Sequence, residues 1–314
     1  MLVFRGFTRK APSATVLTIG NFDGVHLGHR ALLAQLRATA AREGLLPAAL
    51  TFEPHPREFF GHESAPARLS TLREKLEMLA EEGAALAYVC HFNARFAALS
   101  AEEFIERILV GSARVKHLIV GDDFRFGVGR RGNIALLREA GKHYGFQVEA
   151  IDGVTVEGER ASSSAVRNAL AEGRLDYAAR LLGRPYSIDG RVVHGDKMGR
   201  QLGFATANIR IKHDKPPLLG VFVAEVLGLS KQALRGVANL GFRPSAARVD
   251  RPLLEVHLFD FSTEIYGQHI NVRFLHQLRN EIRFPNLDAL KSQIADDVDQ
   301  AKAYFRRLDA PTHP

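Results

Sequence analysis

The stretch that decides the fold runs Ser13-Ala-Thr-Val-Leu-Thr-Ile19 and continues directly into Gly20-Asn-Phe-Asp-Gly-Val-His26-Leu-Gly28-His29. It reads as an apolar strand, a glycine-rich turn, and two histidines at the start of an amphipathic helix. Glycines let a backbone approach a ligand with no Cβ in the way. A helix N-terminus offers free N–H groups and the positive end of the dipole, which suits phosphate. Two imidazoles there add donors that can follow negative charge as it develops on a phosphoryl group. A glycine turn is common in α/β proteins and a single histidine at a helix start is usually structural. The His-x-Gly-His spacing after a strand raises the functional reading above that alternative.

Working outward, the first part of the chain alternates strand-like and helix-like segments. Ala48–Phe52, Leu86–His91 and Leu118–Val120 read as short buried strands. Ser100-Ala-Glu-Glu103 has the form of a capping box, with Phe104, Ile105 and Ile108 as the apolar stripe behind it. Alternating β and α with continuous apolar strands predicts a parallel sheet covered on both faces. Ligands of such sheets bind at the carboxyl ends of the strands, where the histidine turn and the Gly121 loop lie.

Near Leu181-Leu-Gly-Arg-Pro185 the character changes. Tyr186–His194, Val221–Leu227, Gly236–Leu240, Leu253–Phe259 and Ile270–Leu275 follow as strands without helices between them, which predicts an antiparallel barrel or sandwich. A final helix carries Leu287, Leu290, Ile294, Val298, Ala301 and Phe305 on one stripe. The expected domains are 1–183 and 184–314.

Composition bounds the function. The 314 residues are 46% hydrophobic and 25% charged, enough for two cored domains. The one cysteine, Cys90, cannot form an internal disulfide or a multi-cysteine zinc site, and in its apolar run it reads as a buried small residue. No apolar run is long enough to span a bilayer, and the N-terminus lacks a signal-peptide core, so a cytoplasmic location is expected. The net charge of +7 favours anionic ligands, but the basic residues are scattered, so no nucleic-acid partner is expected.

Further motifs are Phe52-Glu-Pro-His-Pro56, Gly121-Asp-Asp-Phe-Arg-Phe-Gly127 and Ser162-Ser-Ser-Ala-Val-Arg167. Downstream come His194-Gly-Asp-Lys-Met-Gly-Arg-Gln-Leu-Gly-Phe-Ala-Thr-Ala-Asn208, Gly236-Val-Ala-Asn-Leu-Gly-Phe-Arg-Pro-Ser245 and Leu254-Glu-Val-His-Leu-Phe-Asp260. The histidine turn resembles the signature of the nucleotidyltransferase superfamily. The full set, in this order and over residues 1 to 307, resembles the bacterial bifunctional riboflavin kinase/FMN adenylyltransferase (FAD synthetase) family. The resemblance implies an α/β nucleotidyltransferase domain, Rossmann-like with a parallel sheet, followed by an antiparallel β-barrel riboflavin-kinase domain with a C-terminal helix. It implies phosphorylation of riboflavin to FMN by ATP, then adenylylation of FMN to FAD with release of pyrophosphate, each step with Mg²⁺. A chain retaining only one activity, or a non-catalytic flavin- or nucleic-acid-binding module, is the alternative.

By the same resemblance His26, His29 and Arg167 are catalytic in adenylyl transfer, and Gly20, Phe22, Asp23, Gly24, Gly28, Ser163 and Ser164 contact the nucleotide. Asp23 is otherwise a turn residue, and the serines a helix cap. Phe52, His55, Asp123 and Phe124 shape the flavin pocket, with packing as the competing role for the phenylalanines. No Walker-type phosphate loop occurs. The resemblance implies instead that Gly195, Lys197, Gly199 and Arg200 form a loop over the phosphates of a second ATP, and that Thr206 and Asn208, hard oxygen ligands, hold Mg²⁺. Glu255 is the general base for the ribityl hydroxyl; on residue pattern alone it is equally an exposed polar position on a strand. Arg279 and Glu281 are candidates for the flavin end. Three departures from the family pattern stand out: Ala205 where Pro is usual, which should loosen that turn, Ala161 with Ser164 in place of Ile and Thr, and Ser245 in place of Thr.

Overall fold

The computed structural model describes residues 1–61, 65–195, 203–211, 215–243 and 251–310. They form two compact units, Met1–Pro66 with Ser70–Ser163, and Ala67–Leu69 with Ser164–Pro314.

The first unit is a six-stranded parallel sheet. Its strands are β1 (Leu2–Arg5), β2 (Thr15–Ile19), β3 (Leu46–Glu53), β4 (Leu86–His91), β5 (Val115–Gly121) and β6 (Gln147–Ile151), in the order β1-β4-β3-β2-β5-β6. The chain builds outward from β2 through β3 to β4, then returns to place β5 on the other side of β2. That reversal is a topological switch point, and the crevice it opens lies at the carboxyl ends of β2 and β5.

All five residues of β2 are buried because both faces are covered. On one face Leu17, Ile19, Leu50, Tyr88 and Leu118 pack with Phe104, Ile105, Ile108 and Leu109. On the other, Val16, Ala49 and Ile119 meet Leu33, Leu36 and Ala40 of helix α1 (Leu27–Glu43) and Leu79 of α3 (Leu72–Glu81). Each fully buried leucine contributes about 2 kcal/mol of burial. Helix α1 ends where Gly44 turns into the left-handed region and its N–H reaches Ala40 O.

The capping box at Ser100 is present, with Ser100 and Glu103 bonding each other's backbone N–H across α5 (Ala101–Phe104). The expected helical stripe beyond it is buried, but the winding is wider than expected. Ile105–Ser112 is a π-helix, closed by Ala113 N–H on Ile108 O. Ser112 donates its hydroxyl to Phe7 O and Arg107 O, which fixes the end of this turn.

The first unit also holds α4 (Ala94–Ala97), α6 (Ile134–Tyr144) and a hairpin of β7 (Thr155–Val156) and β8 (Glu159–Arg160); from Ser164 the second unit takes up α7 (Ser163–Ala171) and α8 (Leu175–Leu182). Strands β9 (Ser187–Val193), β10 (Ala207–Arg210), β11 (Gly220–Leu227), β12 (Leu234–Arg243), β13 (Arg251–Leu258) and β14 (His269–Arg279) follow. They close as an antiparallel barrel in the order β10-β13-β12-β11-β14-β9, with β9 and β10 also paired. Phe222 and Phe274 meet edge to face at 5.3 Å among its fully buried side chains. The C-terminal helix α9 (Leu287–Asp309) packs Val298, Ala301 and Phe305 on Val221, Val223 and Val237. Five of the six strands coincide with the apolar runs of the sequence; β10, only four residues long, is not among those runs.

Candidate active sites

The turn after β2 is held in a conformation few residues adopt. Phe22, Gly24 and Val25 all have positive φ, at 48°, 82° and 41°. The strain is held by burial of Phe22 and Val25 and by hydrogen bonds from Ser70, whose N–H donates to Asp23 Oδ1 at 3.1 Å and whose Oγ accepts from Gly24 N–H at 3.1 Å. Ser163 donates its hydroxyl to Asp23 O at 2.9 Å. Asp23 thus organises the turn.

His26 is the N-cap of α1, its ring does not cap the helix, and the first turn carries no acidic residue. The positive end of the helix is therefore left for an anion. The rings of His26 and His29 stack at 3.7 Å, and Phe22 lies 5.1 Å from His29. Gly28 leaves this stack its room. A Cβ there would lie 3.1 Å from Ala161 O and 3.2 Å from the His26 ring. Gly20 has the same relation to the ring of Phe22. His29 is pushed well below the ordinary histidine range, first by burial, then by the charges of His26 and Lys75. Its Nδ1 has no hydrogen-bond partner among the described residues.

Lys75 and Ser70 were not singled out in the sequence. Lys75 is buried, and its Nζ lies 3.4 Å from Thr51 Oγ1, which donates to Asn21 O at the head of the turn. A signal was present: Thr71 and Glu74 form a capping box that starts α3 and sets Lys75 in its first turn, with Ser70 just before it.

The residues assigned to flavin in this unit have structural partners. Phe52 packs against Phe92 and Phe96 at 5.8 Å each, and Phe124 stacks on Phe126 at 5.6 Å. His55 caps the short helix α2 (Pro56–Phe60), accepting from Arg57 N–H. Asp123 is exposed and lies 3.5 Å from Arg160, whose closer partner is Asp122 at 2.6 Å.

In the second unit Ser164 and Arg167 lie on α7, and Arg167 Nε donates to Ala67 O. In the barrel the register places Asn208 of β10 opposite Glu255 of β13, and Glu255 opposite Asn239 of β12. Cross-strand partners share a face, so the three polar side chains form one row. Asn239 belongs to the Gly236–Ser245 motif, and only the register shows that it joins this row. Asn208 is buried, and its Oδ1 has no partner among the described residues. Gly195 lies against it, so that a Cβ there would come within 2.6 Å of its amide. Thr206 lines a cleft with Val192, Val256, Leu258, Ile265 and Tyr266. Lys197, Gly199, Arg200 and Ser245 lie outside the described residues.

Arg279 does not offer an open guanidinium. Its Nε and Nη2 engage the buried Asp297 of α9 at 2.8 to 3.2 Å, and Nη1 donates to Asn280 O. Glu281 is exposed as a residue, but its carboxylate lies over Gly241, where a Cβ would collide with it, and loss of solvent on that side raises its pKa. Among the described residues no group of three His, Cys, Asp or Glu side chains is gathered to hold a metal.

The first unit thus carries a switch-point crevice headed by stacked histidines, and the second a closed barrel bearing an Asn/Glu row. The FAD synthetase family profile matches residues 8–165, and the riboflavin kinase profile matches residues 182–305. The bifunctional riboflavin kinase/FMN adenylyltransferase of Escherichia coli (strain K12) is 51% identical over 290 residues, 92% of each chain. That of Pseudomonas fluorescens is 47% identical over 305 residues, 96% of this chain and 97% of its own. A crystal structure described as a macrolide-efflux protein from Streptococcus pneumoniae shares the fold, with a TM-score of 0.81 at 27% identity over 95% of this chain and 97% of that one. No helix among the described residues is long and apolar enough to cross a membrane. The chain belongs to the bifunctional riboflavin kinase/FMN adenylyltransferase family. It is a transferase that makes FMN from riboflavin and FAD from FMN, with ATP as donor in both steps.

Proposed function

We propose that the two activities divide between the two centres, with a functional boundary at residues 183/184. In adenylyl transfer the attacking group is the FMN phosphate, which is already an anion and needs no base. The work is alignment and charge stabilisation at the ATP α-phosphate. His26 and His29 supply donors there, and the α1 N-terminus with Gly24 and Gly28 gives the phosphates a backbone to approach. Asp23 and Ser163 hold that turn in shape. Ser164 and Arg167 contact the triphosphate. Phe52 and Phe124 contribute apolar wall to the flavin side, with His55 and Asp123 at its margins.

In the barrel Glu255 accepts the proton of the ribityl hydroxyl as its oxygen bonds the γ-phosphorus of ATP and ADP leaves with the bridging oxygen. Thr206 and Asn208 hold Mg²⁺ with the ATP phosphates, and Lys197, Gly199 and Arg200 cover them. The fit of the metal rests on Asn208 Oδ1, a buried hard acceptor left open among the described residues. When bound, Mg²⁺ neutralises charge on the transferring phosphate. Glu281 borders the flavin, and Arg279 acts beside it through its pair with Asp297. The substrates are small molecules, no nucleic acid takes part, and the protein works in the cytoplasm.

The observation that carries this division is the Asn208–Glu255 register in a barrel that contains no part of the histidine turn. Glu255→Gln should abolish FMN formation from riboflavin and leave FMN converted to FAD. His29→Asn should let FMN accumulate without FAD. Chromatographic separation of the flavins over time reads both. Loss of both activities in either variant would sink the division.

A further inference from the structure

We infer that His257 is a positioning residue for the kinase reaction, holding the Ala205 carbonyl and so fixing the backbone from which Thr206 is presented. This rests on the reading of Thr206 as a ligand of the metal and nucleotide.

The ladder between β10 and β13 runs from Arg210↔Leu253 to Ala207↔Val256 and goes no further. Thr206 and Ala205 lie just beyond its last rung, outside any strand. His257 is the next residue of β13. Its Nδ1 lies 2.9 Å from Ala205 O, so the side chain adds one more cross-link where the backbone ladder stops. A carbonyl can only accept, so Nδ1 carries the proton in this bond. Both the Nδ1-protonated neutral ring and the imidazolium satisfy it.

The ring is well placed to act as a clamp. Its own backbone pairs with Val237 of β12, in the interior of a closed sheet. Phe204 meets it edge to face at 5.5 Å and Phe259 at 6.0 Å. His257 also shares a strand face with Glu255, two residues back. One rigid strand thus carries the base and the anchor of the opposing ligand loop, which fixes the distance between them. With alanine at 205 the turn has no pyrrolidine ring to stiffen it, and the restraint comes from outside the turn.

The test is steady-state riboflavin kinase assay of His257→Phe and His257→Asn. Phenylalanine keeps the ring packing and removes the donor. Asparagine can place an amide N–H near the position of Nδ1. The expected result is a KM for Mg-ATP raised about tenfold in His257→Phe, the scale of one lost hydrogen bond. KM for riboflavin and FMN adenylylation stay unchanged, and His257→Asn recovers most of the loss. A wild-type KM for Mg-ATP in His257→Phe, or no recovery in His257→Asn, overturns the inference. Should neither variant fold, nitrogen NMR of His257 in the intact protein decides, and an unprotonated Nδ1 overturns it. Thr206→Ala separates the two levels. Full kinase activity there refutes the reading of Thr206 itself, whereas loss there beside an unaffected His257→Phe refutes only the role of His257.

Discussion

The rings of His26 and His29 lie 3.7 Å apart with their planes inclined by 26°, and the Nδ1 of the half-buried His29 is shut away from solvent. Two imidazoles this close cannot both hold a proton cheaply. The native state keeps His29 neutral well below its ordinary value of 6.5, mainly because its ring is desolvated. The unfolded chain takes up that proton as pH falls through about 6.5, while the native state refuses it, so the unfolded form is favoured at lower pH. Thermal unfolding should show stability falling from about pH 7.5 to 5.5, and His29→Asn should flatten that dependence. An unchanged slope in His29→Asn would place the titration elsewhere.

Gly28→Ala should slow FAD formation while FMN formation from riboflavin continues. The added Cβ has Ala161 O at 3.1 Å and the His26 ring at 3.2 Å, so the ring must shift by a few tenths of an ångström against His29. Outright loss of one set of donors costs roughly 10²- to 10³-fold in turnover, and a displaced ring costs less than that. The rate of pyrophosphate release from FMN and ATP reads this directly.

Gly195→Ala is the mirror experiment. Its Cβ would fall within 2.6 Å of the Asn208 amide, which must rotate out of its pocket. Kinase activity should drop and its requirement for Mg²⁺ should rise, with FMN adenylylation untouched. A titration of FMN production against Mg²⁺ checks both.

Arg279 and Asp297 should be coupled in stability more than in chemistry. Asp297 is 2% exposed and receives both the Nε and Nη2 edges of the guanidinium. Arg279→Ala leaves that carboxylate buried without its partner, at a cost of roughly 3 kcal/mol. Denaturant unfolding of Arg279→Ala, Asp297→Ala and the double variant should show strong non-additivity.

Cys90 should resist a thiol-reactive reagent in the native protein and react promptly once unfolded, because burial pushes its thiol far up. Mass spectrometry of labelled samples settles this.

Much of this architecture is legible in the sequence. The run into Gly20 located β2 and the histidines because strand period, glycine and helix start follow one another in sequence. The Ser100 box located α5 because capping is a contact between residues three apart. What escaped were relations between distant residues. Ser70 supports Asp23 from 47 positions away, and Asp297 meets Arg279 from a different element. The widened winding over Ile105–Ser112 also escaped, since the burial stripe is compatible with either helix at that length. Strand β10 escaped because four residues in a glycine-rich stretch carry too little alternation.

The closed barrel has a consequence for behaviour under stress. Every one of its strands is hydrogen-bonded on both sides, so it offers no free edge for another chain to join. The parallel sheet does have edges, at β1 and β6, and β1 is four residues long with Leu2 and Val3 exposed. Detaching that short strand would uncover β4, whose first five residues are all buried. Intermolecular β-association on heating should therefore begin at the FAD-forming half, and the barrel should be the last part to be drawn into an aggregate.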